Sequence, residues 1–93
     1  MKVTGAQVTA ARDLLRITQV ELAEAAGVSY QTVLRFETGQ AEPQASTLQK
    51  ILAELERRGI EFTNGTGIGV RLHYEKAAEY ARSLAQGRST PDR

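Results

Sequence analysis

Gln31 and Arg35 stand four residues apart in the segment Tyr30-Gln31-Thr32-Val33-Leu34-Arg35-Phe36-Glu37-Thr38, a spacing that puts both on one side of a helix. A carboxamide there can donate and accept together, which matches the paired groups on the edge of adenine. The guanidinium fork of Arg35 matches the two acceptors of guanine. Tyr30 and Leu34 share this side and offer apolar surface to a thymine methyl, while the tyrosine hydroxyl can instead bond a phosphate. Val33 and Phe36, three apart, fall on the opposite side and read as the inner face.

Such a reading face needs neighbours that fix it. Thr18 with Glu21 has the pattern of a capping box, so a second helix opens at Thr18, and Gly27 can close it in the left-handed conformation. Ser29 caps the next helix almost at once. Leu22, Ala23 and Ala26 share the inner side of helix 2, Val28 fills the turn, and the small Ala23 lets the two helices cross closely. Upstream, Thr4 and Gln7 repeat the capping pattern, opening a first helix to about residue 17 with Val8, Ala11, Leu14 and Leu15 facing inward. Downstream, Pro43 stops helix 3, Ser46 with Gln49 gives a third capping pattern, and Leu48, Ile51, Leu52 and Leu55 make the apolar stripe of a helix 4 closed by Gly59.

Together, the T-Q-x-E-L-A opening from Thr18, the A-G-V-S turn from Ala26 and the R-F-E-T-G close from Arg35 resemble the Xre family of lambda-repressor and Cro-like transcription regulators, over roughly residues 7–58. The resemblance implies a mainly α, lambda-repressor-like helix-turn-helix domain that binds double-stranded DNA, with helix 3 in the major groove and helix 2 across the phosphate backbone. It implies base contacts from Tyr30, Gln31, Leu34 and Arg35, and backbone contacts from Thr18, Gln19 and Thr38, with Ser29 near the backbone or a base edge. Leu34 departs from the polar residue that many relatives carry. Arg12 and Glu37 resemble a structural pair bridging helix 1 to the end of helix 3. The expected function is a sequence-specific, homodimeric regulator, read as a repressor at an inverted repeat. The alternative is a protein-binding module, such as an antitoxin-like regulator or an anti-activator, with a protein partner.

Beyond Gly59 the period changes. Ile60 and Phe62 alternate with Glu61 and Thr63, Asn64-Gly65-Thr66-Gly67 reads as a turn, and Ile68, Val70 and Leu72 alternate again, which predicts a β-hairpin. A lone hairpin is marginal in water, so its apolar face either packs on the helices or helps join two chains. A further helix over residues 74–85 comes next, with Ala77, Ala81 and Leu84 on one face. The organisation read from the sequence is a DNA-binding domain over 1–59, a hairpin and helix over 60–85 serving dimerisation or core cover, and a disordered tail over 86–93.

Other chemistries find little support. There is no cysteine, and His73 is the only histidine, without neighbours that would complete a metal site or a catalytic constellation. No enzyme activity, cofactor or metal is expected. Gly65-Thr66-Gly67-Ile68-Gly69 resembles a phosphate loop only superficially, since no helix pattern succeeds it directly. With no leader pattern and no long apolar run, the expected compartment is the cytoplasm, with no membrane partner. The 93 residues suit one small domain, and 41% apolar content fills one modest core. Net charge is only +1, and residues 1–58 hold seven bases against seven acids. Helix N-termini and neutral donors must then supply much of any phosphate binding. DNA affinity measured across a salt series is expected to show a shallow slope, and a steep one would contradict this charge reading.

Overall fold

Local capping sets most helix boundaries. In the computed structural model, which describes residues 2–88, the Thr4 hydroxyl accepts from the Gln7 N–H while the Gln7 side chain accepts from the Thr4 N–H, and α1 spans Gly5–Leu15. It ends two residues short of the sequence expectation because Arg16 adopts the left-handed conformation (φ 58°) and its N–H turns back to Arg12 and Asp13. The same reciprocal box at Thr18 and Glu21 opens α2 (Gln19–Ala26), and Gly27 closes it at φ 74°. Ser29 accepts from the Thr32 N–H and starts α3 (Tyr30–Glu37). The third expected box does not form. α4 (Ala45–Arg57) is capped by Gln44 without a side-chain bond, and Leu48 already donates to the Gln44 carbonyl, so Ser46 lies inside the first turn.

The inner faces converge on one core. Val8, Ala11, Leu22, Ala23, Val33, Phe36, Ile51 and Leu55 are buried together, with Leu15, Ala26, Val28, Leu48 and Leu52 packed against them. Leu14 is the exception among the expected inward residues, at 45% exposure. It stands about 100° around the helix from Leu15, and the stripe Val8–Ala11–Leu15 leaves it on the solvent side.

β1 (Ile60–Thr63) and β2 (Gly69–Leu72) form the antiparallel hairpin, pairing Ile60 with Leu72 and Phe62 with Val70. Ile60 and Phe62 are buried in the same core as the helices, and Val70 and Leu72 pack against it. Ile68 lies before β2 and is exposed rather than alternating into the sheet. A polar pin fixes the hairpin on α1: the buried Gln7 side chain donates toward the carbonyls of Thr63 (3.2 Å) and Gly69 (3.0 Å) and to Asn64 Oδ1 (3.2 Å), and Asn64 Nδ2 donates to the Lys2 carbonyl.

α5 (Tyr74–Arg88) continues three residues past its expected end, taking in Gln86, Gly87 and Arg88 from the expected tail; residues 89–93 lie outside the described residues. Its docked side also differs. Ala77 and Tyr80 are half-buried while Ala81 and Leu84 are exposed. The Tyr80 ring receives the guanidinium groups of Arg57 and Arg58 at 5.1 and 5.0 Å, and both arginines are ion-paired with the buried Glu54, so cation–π stacking turns the helix toward Tyr80. Among the described residues no helix is long and apolar enough to cross a membrane.

One close approach seats α3. A Cβ on Gly5 would lie 2.1 Å from the Phe36 carbonyl oxygen, so only glycine lets the start of α1 meet the last turn of α3. Backbone on both sides leaves no flexible side chain to yield. Gly5→Ala is expected to lower stability by about 1–3 kcal/mol, the usual cost of overpacking, measured by urea unfolding; an unchanged midpoint would show that the contact relaxes freely.

Candidate nucleic-acid interface

The inner side of α3 is fixed by Val33 and Phe36, both buried, and its outer side carries Gln31 and Arg35, both exposed. Tyr30 is also exposed at the first helical position, and Leu34 is half-buried between the two polar residues. Gln31 and Arg35 line a shallow cleft with Ser29 and Thr32, whose far wall is Ala41, Glu42 and Pro43 from the segment joining α3 to α4. No acidic residue occupies the first turn of α3, so its N-terminal dipole is not neutralised by a side chain of that turn.

The far end of α3 is held by one carboxylate. Glu37 accepts from Arg12 Nε at 2.7 Å and from the second guanidinium branch at 2.8 Å, a bidentate pair. It also accepts from Gln19 Nε2 at 2.9 Å, and Arg12 donates onward to the Ile17 carbonyl at 3.0 Å. Three helices and the turn between α1 and α2 therefore meet at a carboxylate whose side chain is only 3% exposed. Burial alone would push the Glu37 carboxyl up, but the hydrogen bonds from Arg12 and Gln19, with the Arg12 charge, hold it below the ordinary carboxylate value. The Arg12 guanidinium is shifted up by its hydrogen bond to Glu37, against the opposing effect of burial.

The residues expected at the DNA backbone differ in what they have left to give. Thr18 Oγ1 accepts from the Glu21 N–H, which leaves its own proton for an outside acceptor. Gln19 spends one amide hydrogen on Glu37 and retains the other. Ser29 and Thr32 share a hydroxyl contact at 2.7 Å, so one proton of the pair stays free. Thr38 instead donates its hydroxyl to the Leu34 carbonyl at 2.9 Å, and contact with a phosphate would require it to leave that bond.

Thr18 and Gln19 at the start of α2, and Ser29, Gln31 and Arg35 along α3, thus sit on two helices separated by a single tight turn at Gly27 and Val28. The helix-turn-helix family HTH_3 matches residues 8–62, more than half of the chain. The chain belongs to this family. HTH_3 domains are DNA-binding regulatory domains rather than enzymes, and the chain is a DNA-binding helix-turn-helix regulator. No curated protein matches it significantly. The family match ends at Phe62, the last buried core residue of β1, so β2 and α5 lie beyond it.

Two contributors to this candidate interface are not legible in the sequence. Gln19 reads there only as a phosphate contact, whereas it also braces Glu37. Glu42 brings a carboxylate to the wall of the α3 cleft and is ion-paired with Lys2 at 2.7 Å. Nothing local marks either role, because both partners are distant in sequence. The Glu37 arrangement also fixes a pH dependence. A carboxyl whose folded pKa lies below its unfolded value, ordinarily 4.5, contributes stability that is full above that pH and is lost as the pH falls through the folded pKa. Glu37→Gln leaves Arg12 without its counter-charge and is expected to cost about 3 kcal/mol near neutrality. The melting-temperature gap between wild type and this variant should narrow as the pH falls below 4.5; a gap independent of pH would remove the Glu37 charge from the account.

Proposed function

We propose that the chain is a sequence-specific transcriptional regulator of the Xre type, acting as a homodimeric repressor in the cytoplasm at an inverted-repeat operator. The observation that carries this reading is the division of α3 into a core-anchored side, Val33 and Phe36, and an exposed side bearing Gln31 and Arg35. In the proposed complex α3 enters the major groove, Gln31 pairs with adenine, Arg35 with guanine, and Tyr30 and Leu34 cover thymine methyls. Thr18, Gln19 and Ser29 hold phosphates at the starts of α2 and α3, with Thr38 as a weaker contact. Arg12 and Glu37 act structurally, by fixing α3 against α1. Two such helices related by a two-fold would meet successive major grooves about 34 Å apart.

Fluorescence anisotropy with duplexes tiling the DNA upstream of its own gene tests the reading. Wild type is expected to prefer one duplex containing an inverted repeat. Gln31→Ala and Arg35→Ala should each cost about 1–3 kcal/mol, with circular dichroism confirming the fold. Binding that is equally tight on a single half-site would overturn the dimeric operator. Loss of preference for any duplex, together with a protein complex that survives both substitutions, would replace the reading with the antitoxin-like or anti-activator alternative.

A further inference from the structure

Between its inner and outer sides α3 has two flanks. Glu37 falls on one of them, where it meets Gln19 at the start of α2. Thr32 and Arg35 fall on the other, bordering the cleft whose far wall is Ala41, Glu42 and Pro43. The start of α2 and the α3–α4 segment therefore stand on opposite sides of α3. A helix lying in a groove about 12 Å wide has a row of phosphates on each side. The α2 side brings the neutral donors of Thr18 and Gln19. The other side, from Thr38 to Gln44, brings a single charged residue, and it is the acid Glu42. A carboxylate facing phosphates opposes binding unless a cation accompanies it.

Lys2 supplies a cation at that place. Its Nζ lies 2.7 Å from Glu42 Oε2, and its side chain is 72% exposed. An ammonium has three donors, so one bond to Glu42 leaves two for another acceptor. The backbone that carries it is anchored on both sides. Val3 is buried in the core, Asn64 Nδ2 donates to the Lys2 carbonyl at 2.9 Å, and Gly5 is seated against the Phe36 carbonyl at the last turn of α3. A second shallow cleft, bordered by Lys2, Gly5, Phe36 and Gly39, adjoins the first across Ala41 and Glu42. Other bases of the helical domain are already committed, Arg12 to Glu37 and both Arg57 and Arg58 to Glu54.

We propose that Lys2 binds a DNA phosphate on the α3–α4 side of α3, with Glu42 as the positioning residue that holds its ammonium there. The inference rests on the reading in which α3 enters the major groove, and it adds a contact that the helix-turn-helix segment does not itself contain. Glu42 takes one ammonium proton and limits the sweep of a long side chain, and the two remaining protons make charge-assisted bonds to phosphate oxygens. The pair carries no net charge, so the contact works through the placement of the ammonium and not through a basic surface. A phosphate contact carries no base information, so Lys2 adds affinity to every duplex alike.

Fluorescence anisotropy of the full chain across a salt series, with a mixed-sequence duplex and with the duplex that wild type prefers, tests the contact. Lys2→Met should weaken binding several-fold on both duplexes equally, and should make the slope of log K against log salt shallower by about 0.9. Lys2→Arg should keep the wild-type slope. Lys76→Met removes the same charge from α5 and should change neither affinity nor slope. Adding Glu42→Gln to Lys2→Met should recover part of the lost affinity, because it removes an acid left bare beside the phosphates. Urea unfolding checks that the variants keep their stability, as expected for an exposed ion pair. An unchanged slope in Lys2→Met, an equal loss in Lys76→Met, or no recovery in the double variant would overturn the Lys2 and Glu42 site. The placement of α3 would survive that result if Gln31→Ala and Arg35→Ala still abolish the preference between duplexes. A preference untouched by those two substitutions would overturn the placement of α3 and this contact with it.

Discussion

The carboxylate of Glu37 is where the arrangement of α3 is decided. It takes two bonds from the Arg12 guanidinium and one from Gln19, so α1, α2 and α3 share a single acceptor group. The pair is nearly dry, with Arg12 14% exposed and Glu37 3% exposed at their side chains. Bringing two ions out of water is expensive, and their attraction offsets that cost only when the geometry is good and the remaining protons find partners. Here the fork is bidentate and its remaining branch reaches the Ile17 carbonyl. Apolar packing alone would set the depth of α3 in the core. The charged contact sets its rotation and the position of its last turn.

The second constraint is size. A domain this small buries too little apolar surface for four short helices to be comfortable, and the hairpin adds Ile60 and Phe62 to the core rather than standing apart from it. This places the boundary of the folding unit beyond the helix-turn-helix itself. The family match ends at Phe62, which is buried in this core. The second strand packs on that core through Val70 and Leu72, and α5 docks through Tyr80 on Arg57 and Arg58 at the end of α4.

Features governed by near neighbours were legible in the sequence. The boxes at Thr4 and Thr18, the glycine close at Gly27 and the two-sided character of α3 all arise from residues within one or two turns. The Ser46–Gln49 pattern is of the same kind and does not form a cap, because the chain after Pro43 enters the helix earlier, with Gln44 in the capping position. Leu14 and Leu15 both fit an inner stripe by spacing; only the direction of the core separates them. The docked side of α5 depends on Arg57 and Arg58 more than twenty residues upstream of Tyr80, and the need for glycine at position 5 depends on the Phe36 carbonyl. For the candidate site, exposure of Gln31 and Arg35 was readable from periodicity. The bracing of Glu37 by Gln19 was not, since it joins two helices across eighteen positions.

Gln7 links the beginning of the chain to segments 56 to 62 residues later, and this has a consequence for synthesis. Its side-chain amide can find the carbonyls of Thr63 and Gly69 only after the hairpin exists. During translation the helix-turn-helix residues emerge first, with α1 lacking its polar partners and the core lacking Ile60 and Phe62. Closing a loop of that length carries an entropic cost that local helix formation cannot offset in advance. The nascent chain therefore passes through an interval in which α2 and α3 have been made but the core that holds them is incomplete. Full stability arrives only when the second strand has been made, so the order of synthesis leaves α3 without its final support until residues well beyond the helix-turn-helix have emerged.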